Sequence, residues 1–322
     1  MYQIKTVLEK ESREMRAVYC ETLQQLAREN DQICVLDADL VGSSGVKPFF
    51  QEFPDRAIDC GIQENNMIGV AAGLSAAGMI PFAHSFGPFA TRRCVDQIFI
   101  SCAYARLNVR IVGSDPGVTA AYNGGTHMPF EDMGTLMSIP QITLLEPTDS
   151  VQLRWLIRAL EKEYGVFYIR LLRKNAVGVF EEGSSFELGK FARLREGADV
   201  AVIASGIMTA EALKAAQMLE AEGIHASVLN AFTWKPLDEA ALAEYAAKCG
   251  CIVTAENHNI LGGLGSAVAN TLSRTRPVPV EMVGIEDSFG EVGSEAFLRE
   301  RFDLTADHIV RAAKAAIARK AL

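Results

Sequence analysis

Short apolar runs along the chain alternate with segments whose apolar residues recur every three or four positions. Runs at residues 33–36, 57–62, 80–84, 109–112, 142–145 and 166–172 read as buried strands, each brief and largely apolar. Between them, residues 65–77 are small and apolar, 88–104 are amphipathic, and 149–162 begin at an aspartate suited to capping a helix. Strand and helix in alternation predict a mainly parallel sheet wrapped by helices.

The alternation lapses between residues 177 and 196, where Gly178-Val-Phe-Glu-Glu-Gly-Ser-Ser185 reads as a linker. It resumes with strands at 200–205, 225–229, 252–255 and 278–283 and helices at 210–222, 239–248 and 265–273, closed by an Ala-rich helix at 306–320. The expected fold is therefore α/β with two doubly wound domains, residues 1–180 and a smaller one at 181–322.

Of 322 residues, 49% are hydrophobic and 22% charged, which is enough apolar material for two cores. A formal net charge of -9 and the lack of a basic stripe exclude a nucleic-acid surface. Charges run through residues 1–11, where a secretion signal needs an apolar core, and no run of about 18 apolar residues could span a bilayer. A cytoplasmic protein without membrane contact is expected. The seven cysteines form no paired C-x-x-C spacing, and with only Cys249 and Cys251 close together they read as reduced thiols rather than a metal site.

Three stretches could carry chemistry. In Gly61-Ile-Gln-Glu-Asn-Asn-Met67, Glu64 stands where a strand gives way to a helix of small residues, the edge at which such sheets bind ligands; a helix cap is the ordinary alternative. In His84-Ser-Phe-Gly-Pro-Phe-Ala-Thr-Arg92, helical spacing would put Phe86, Phe89 and Arg92 on nearly one face, either as core packing or as a platform for a planar heterocycle. The turn-rich stretch from Gly113 to Asp132 is long for a compact domain and contains Thr126-His-Met-Pro129, with His127 suited to proton transfer near neutral pH.

The run from Gly61 to Arg92 is similar to the pyrimidine-binding domain of transketolases and 1-deoxyxylulose-5-phosphate synthases, and the resemblance extends over nearly the whole chain. It implies thiamine diphosphate as cofactor, with Glu64 activating its aminopyrimidine, Phe86 and Phe89 flanking that ring, and Arg92 where transketolases usually have a tyrosine and deoxyxylulose-phosphate synthases have an arginine. Asp37-Ala-Asp-Leu-Val-Gly-Ser43 resembles a strand end whose second aspartate, Asp39, helps position the cofactor and whose serine, Ser43, touches the substrate phosphate. Thr-His-Met-Pro resembles the family's Thr-His-Gln-Pro, which makes His127 the second catalytic candidate.

Asn123 takes the place of an aspartate that reads a sugar hydroxyl, and a phosphate-contacting histidine has no counterpart near Ser114–Asp115. Arg173, in Arg173-Lys-Asn175, matches a phosphate-binding arginine. The glycine-rich Glu256-Asn-His-Asn-Ile-Leu-Gly-Gly-Leu-Gly265 fits neither a Walker loop nor a dinucleotide fingerprint, and Glu256 and His258 are assigned no catalytic part.

The family holds the cofactor's diphosphate through Mg2+ and a Gly-Asp-Gly motif that this sequence lacks. The resemblance therefore implies that this chain itself holds no metal. An N-terminal transketolase subunit would carry the diphosphate-binding domain and most of the Mg2+ contacts, in an α2β2 heterotetramer whose homodimer core is this chain. The implied activity is transfer of a two-carbon ketol unit from a ketose, in the usual case phosphorylated, to an aldose. A deoxyxylulose-phosphate synthase-like subunit, a 2-oxoacid dehydrogenase beta-type subunit and a non-catalytic subunit of the same fold are the alternatives. Against the dehydrogenase version, Thr-His-x-Pro and Phe-x-x-Phe-x-x-Arg favour the transketolase side.

Overall fold

The structure, a computed structural model, describes residues 1–321. Its strands in chain order are β1 (Ile33–Asp37), β2 (Ala57–Asp59), β3 (Ile80–Phe86), β4 (Val109–Ser114), β5 (Ile142–Leu145), β6 (Val166–Leu171), β7 (Ala192–Arg195), β8 (Val200–Ala204), β9 (Ala226–Asn230), β10 (Thr233–Lys235), β11 (Ile252–Asn259) and β12 (Val280–Ile285). They form two sheets, ordered β10-β5-β6-β4-β3-β1-β2 and β12-β11-β8-β9-β7. All pairings are parallel except those of the edge strands β10 and β7. Two α/β units with mainly parallel sheets are what the alternating pattern predicts. Among the described residues no helix is long and apolar enough to cross a membrane.

Three features depart from the expected segmentation. The predicted linker is paired: Ile4 bridges Phe180 and Lys10 bridges Val177, so the N-terminal residues run antiparallel against it. β10, from the second half of the chain, completes the first sheet by lying antiparallel to β5. An additional helix, Met15–Glu29, buries Met15, Val18, Tyr19, Leu23 and Leu26 at helical spacing. It packs on Ser150–Lys162, which buries Leu153, Leu156, Ile157 and Leu160, each such side chain contributing roughly 1.5–3 kcal/mol.

Two predicted elements are corrected where they reach the site. The strand expected at 57–62 stops at Asp59 because Gly61 turns the chain at φ +71°, and Glu64 opens the helix Glu64–Ala76. The single helix expected over 88–104 is broken at Thr91 (φ -116°, ψ -87°). A short turn Gly87–Ala90 precedes the break, and Val95–Gln97 and a π-helical stretch, Ile98–Tyr104, follow it.

Strand register explains how residues far apart in sequence meet. Asp37 of β1 is level with Asp59 of β2 and with His84 of β3, Phe86 of β3 with Ser114 of β4, and Ser114 with Leu171 of β6. Five parallel strands therefore end side by side, with Phe86 at the tip of β3 and Asp39, Glu64, Asp115 and Arg173 on the segments that leave the other four. This is the carboxyl edge at which open α/β sheets bind ligands.

Candidate active site

Glu64 is the first residue of its helix and is almost completely buried, at 1% exposure. A negative side chain is favoured there by the helix dipole. Ser85 Oγ donates to its Oε1 at 3.3 Å, and Arg93 Nη1 donates to its Oε2 at 2.5 Å. The same guanidinium lies over the ring of Phe89, 4.2 Å from the centroid. Asn65 fixes this arginine from behind by donating to the Arg93 carbonyl at 2.7 Å.

Phe86 closes β3 and Phe89 sits in the short turn after it, their rings edge to face with centroids 6.1 Å apart. They do not share a helical face with Arg92, because Phe86 belongs to a strand. Arg92 turns toward the next loop, pairing with Glu131 at 2.7 Å. His127 completes the aromatic cluster, its ring edge-on to Phe86 at 5.5 Å and to Phe89 at 5.1 Å. Thr126 Oγ1 lies 2.9 Å from its Nδ1. Gly87 permits this approach, since a Cβ there would meet Pro129 Cγ at 2.7 Å.

On the other side of Phe86, the Arg173 guanidinium carbon stands 5.5 Å from the ring centroid while its Nε donates to Asp115 Oδ1 at 3.0 Å. Burial pushes the Asp115 carboxyl up, with Arg173 pulling the other way. Asp39 is exposed, in the left-handed region at φ +61°, and its backbone N–H donates to Asp59 Oδ1. The same oxygen accepts from Gly61, so Asp59 ties together the loops that carry Asp39 and Glu64. Ser43 is held through its carbonyl by Arg16 Nη1 at 2.9 Å. Asn123 is exposed at the end of the 3-10 segment Gly117–Asn123.

Glu64, Phe86, Phe89, His127 and Arg173 thus form one continuous wall. Asp39 and Ser43 flank it through Asp59 and Arg16, while Asn123 makes no side-chain link to it among the described residues. Arg16, Asp59 and Arg93 are the residues that the sequence reading passed over. Among the described residues no group of three or more His, Cys, Asp or Glu side chains is arranged to hold a metal ion.

Comparison with known proteins shows the family. The transketolase pyrimidine-binding domain family matches residues 11–177, and the transketolase C-terminal domain family matches residues 189–309. The chain belongs to the transketolase family. It is 53% identical over 306 residues to the 6-deoxy-6-sulfo-D-fructose transketolase subunit SqwH of Clostridium sp. (strain MSTE9), covering 95% of both chains. It is 35% identical to the 1-deoxy-D-xylulose-5-phosphate synthase of Heliobacterium modesticaldum, covering 92% of this chain and 46% of that enzyme. A solved structure described as a split gene transketolase, inactive beta4 tetramer, superposes with a TM-score of 0.88 at 42% identity, covering 95% of this chain and 99% of that one. Transketolases are transferases, and this chain spans whole subunits of the split kind but about half of the single-chain synthase.

In the C-terminal domain of this transketolase chain, the glycine-rich turn is occupied by the protein itself. Glu256 accepts from Leu264 N–H and Gly265 N–H, both at 2.7 Å, and so takes up the backbone donors of the helix Leu264–Arg274 that a phosphate would need.

Proposed function

We propose that this chain is the C-terminal subunit of a split transketolase that depends on thiamine diphosphate. With an N-terminal partner subunit it would move a two-carbon ketol unit from a ketose to an aldose. The buried Glu64 carboxyl at a helix N-terminus, set into an aromatic wall, carries this reading. A ring that both stacks on phenylalanine and hydrogen-bonds a carboxylate fits there, and the planar Arg93 guanidinium already does both.

Thiamine diphosphate, when bound, supplies the carbon nucleophile that accepts the ketol fragment. Glu64 holds the proton exchanged with the pyrimidine nitrogen, Phe86 and Phe89 orient the ring, and Asp39 and Arg92 complete its surroundings. His127, pressed against both phenylalanines, moves a proton at the substrate's reacting carbons. Asn123 hydrogen-bonds a donor hydroxyl, and Ser43 and Arg173 hold the donor's charged far end. Mg2+ and the diphosphate fall mainly to the partner, in an α2β2 assembly centred on this chain and working in the cytoplasm. The inactive beta4 state of the 42%-identical neighbour supports the expectation that this chain alone self-associates without activity.

Titration of thiamine diphosphate and Mg2+ into each subunit and into their mixture should give saturable binding in the mixture only. Tight binding to this chain alone would remove the shared site. In the reconstituted complex, Glu64→Gln should lower kcat by about 10²–10⁴-fold while leaving the fold intact. Unchanged turnover would strip the glutamate of its role.

A further inference from the structure

We propose that Asp115 is a specificity-determining residue, matching the subsite at Arg173 to a donor whose far end carries one negative charge, a sulfonate rather than a phosphate. The inference rests on the ketol-transfer reading above and deepens it.

Asp115 leaves the end of β4 at 1% exposure and φ +61°, in the left-handed region that aspartate and asparagine both tolerate. Its Oδ1 accepts from Arg173 Nε, and its Oδ2 accepts from Ser114 Oγ at 3.3 Å. This clamps one edge of the guanidinium. Neither Nη of Arg173 donates to any described residue, so the outer fork remains available beside Phe86 for an anion.

The arrangement is repeated next door. Arg16 gives its Nε to Glu14 Oε2 at 2.6 Å and its backbone N–H to the Arg173 carbonyl at 3.3 Å, and Lys174 Nζ reaches Glu14 at 3.4 Å. Each arginine therefore comes with its own carboxylate. Three cations (Arg16, Arg173, Lys174) set against two carboxylates (Glu14, Asp115) leave one net positive charge.

A sulfonate keeps a single charge throughout the physiological range, whereas a phosphomonoester carries about -1.5 to -2 at pH 7. A singly charged tail balances the subsite. A doubly charged one overfills it and meets the Asp115 carboxylate at close range in a poorly solvated setting, where repulsion is strong. The 53%-identical relative, named for a sulfonated ketose, agrees with this assignment.

The experiment uses the complex of this chain with its N-terminal partner, thiamine diphosphate and Mg2+. Asn is nearly isosteric with Asp and tolerates positive φ, so Asp115→Asn keeps the fold while removing one charge. kcat/KM is measured for 6-deoxy-6-sulfofructose and fructose 6-phosphate in wild type and variant. Wild type should favour the sulfonate, and Asp115→Asn should move the ratio toward phosphate by about tenfold, through KM. A merely structural role would lower both donors alike and leave the ratio unchanged, which overturns the proposal.

The same complexes are titrated calorimetrically with 2-hydroxyethanesulfonate and 2-hydroxyethyl phosphate. If neither ketose turns over, the ketol-transfer reading fails, and these two Kd values decide the subsite by themselves. A sulfonate preference abolished by Asp115→Asn supports the inference, and equal affinities in wild type overturn it.

Discussion

Arg170 and Arg173 lie three residues apart at the end of one strand, both beside acids and aromatic rings, yet their donors are spent differently. Arg170 is completely buried: its Nε faces Asp132, its Nη1 donates to Glu146 at 2.8 Å, and its Nη2 donates to the Pro129 and Asn257 carbonyls, both at 2.9 Å. Asp132 also accepts from Tyr168, and Glu146 from Ser205 of the second domain. Arg173 engages one nitrogen and leaves its fork open. The glutamates divide in the same way. Both oxygens of Glu256 are saturated by backbone, and burial raises its carboxyl to about 8, while Glu64 depends on a serine and on an arginine that is 42% exposed. Arginine, acid, histidine and aromatic residues occur in both clusters. What separates a clasp between domains from a candidate active site is whether donors and acceptors remain for a ligand.

The largest effect should come from breaking the clasp. Arg170→Met strands Asp132 and Glu146 as buried charges and should destabilise the chain by about 3–5 kcal/mol in urea unfolding. Arg173→Met should cost only about 1–2 kcal/mol, because Asp115 keeps Ser114, while raising the KM for a charged donor several-fold. Equal stability losses at the two positions would erase the distinction.

His84 tests the comparison next, since it is buried beside Arg173 and neither ring nitrogen has a partner among the described residues. Burial, reinforced by the Arg173 charge, pushes its pKa down from 6.5 to about 3. Below pH 6.5 the unfolded chain binds a proton that the folded chain refuses, so this histidine's contribution is intact above 6.5 and is lost as pH falls toward 3. Other buried groups titrate too, so the informative quantity is a difference. The stability of His84→Leu relative to wild type should rise by up to about 1.4 kcal/mol per pH unit on acidification below 6.5, measured by unfolding at several pH values. A flat difference would mean that His84 finds a partner within the folded chain.

The strands and the helix that opens at Glu64 could be read from sequence to within a few residues because short apolar runs and a small-residue helix are local signals. The helix Met15–Glu29 buries residues at helical spacing, but it precedes the first strand and follows a stretch dense in charge that masks where the apolar pattern begins. Arg16 and Asp59 act on backbone groups of other loops, and no spacing in the sequence announces such contacts. β10 joins the first sheet from beyond the second domain's opening strands, a long-range pairing invisible to any local window. Placing Phe86, Phe89 and Arg92 on nearly one face assumed that helical spacing starts at Phe86. The chain is still a strand there and breaks again at Thr91, so the phase shifts and the neighbouring arginine faces Glu64.

The smallest effects distinguish these two arginines. Arg92 and Glu131 form an exposed pair, and Arg92→Gln should change stability by under about 0.5 kcal/mol. Arg93→Gln should cost about 1 kcal/mol, because the buried Glu64 carboxylate keeps only Ser85. In the reconstituted complex, however, it should tighten thiamine diphosphate binding, since no guanidinium then has to leave Phe89 and Glu64 before a pyrimidine can take its place. If Arg92→Gln weakens cofactor binding and Arg93→Gln leaves it unchanged, the family resemblance identified the right arginine. The Arg93 contact would then be what the unpartnered chain does with a carboxylate it must otherwise bury alone.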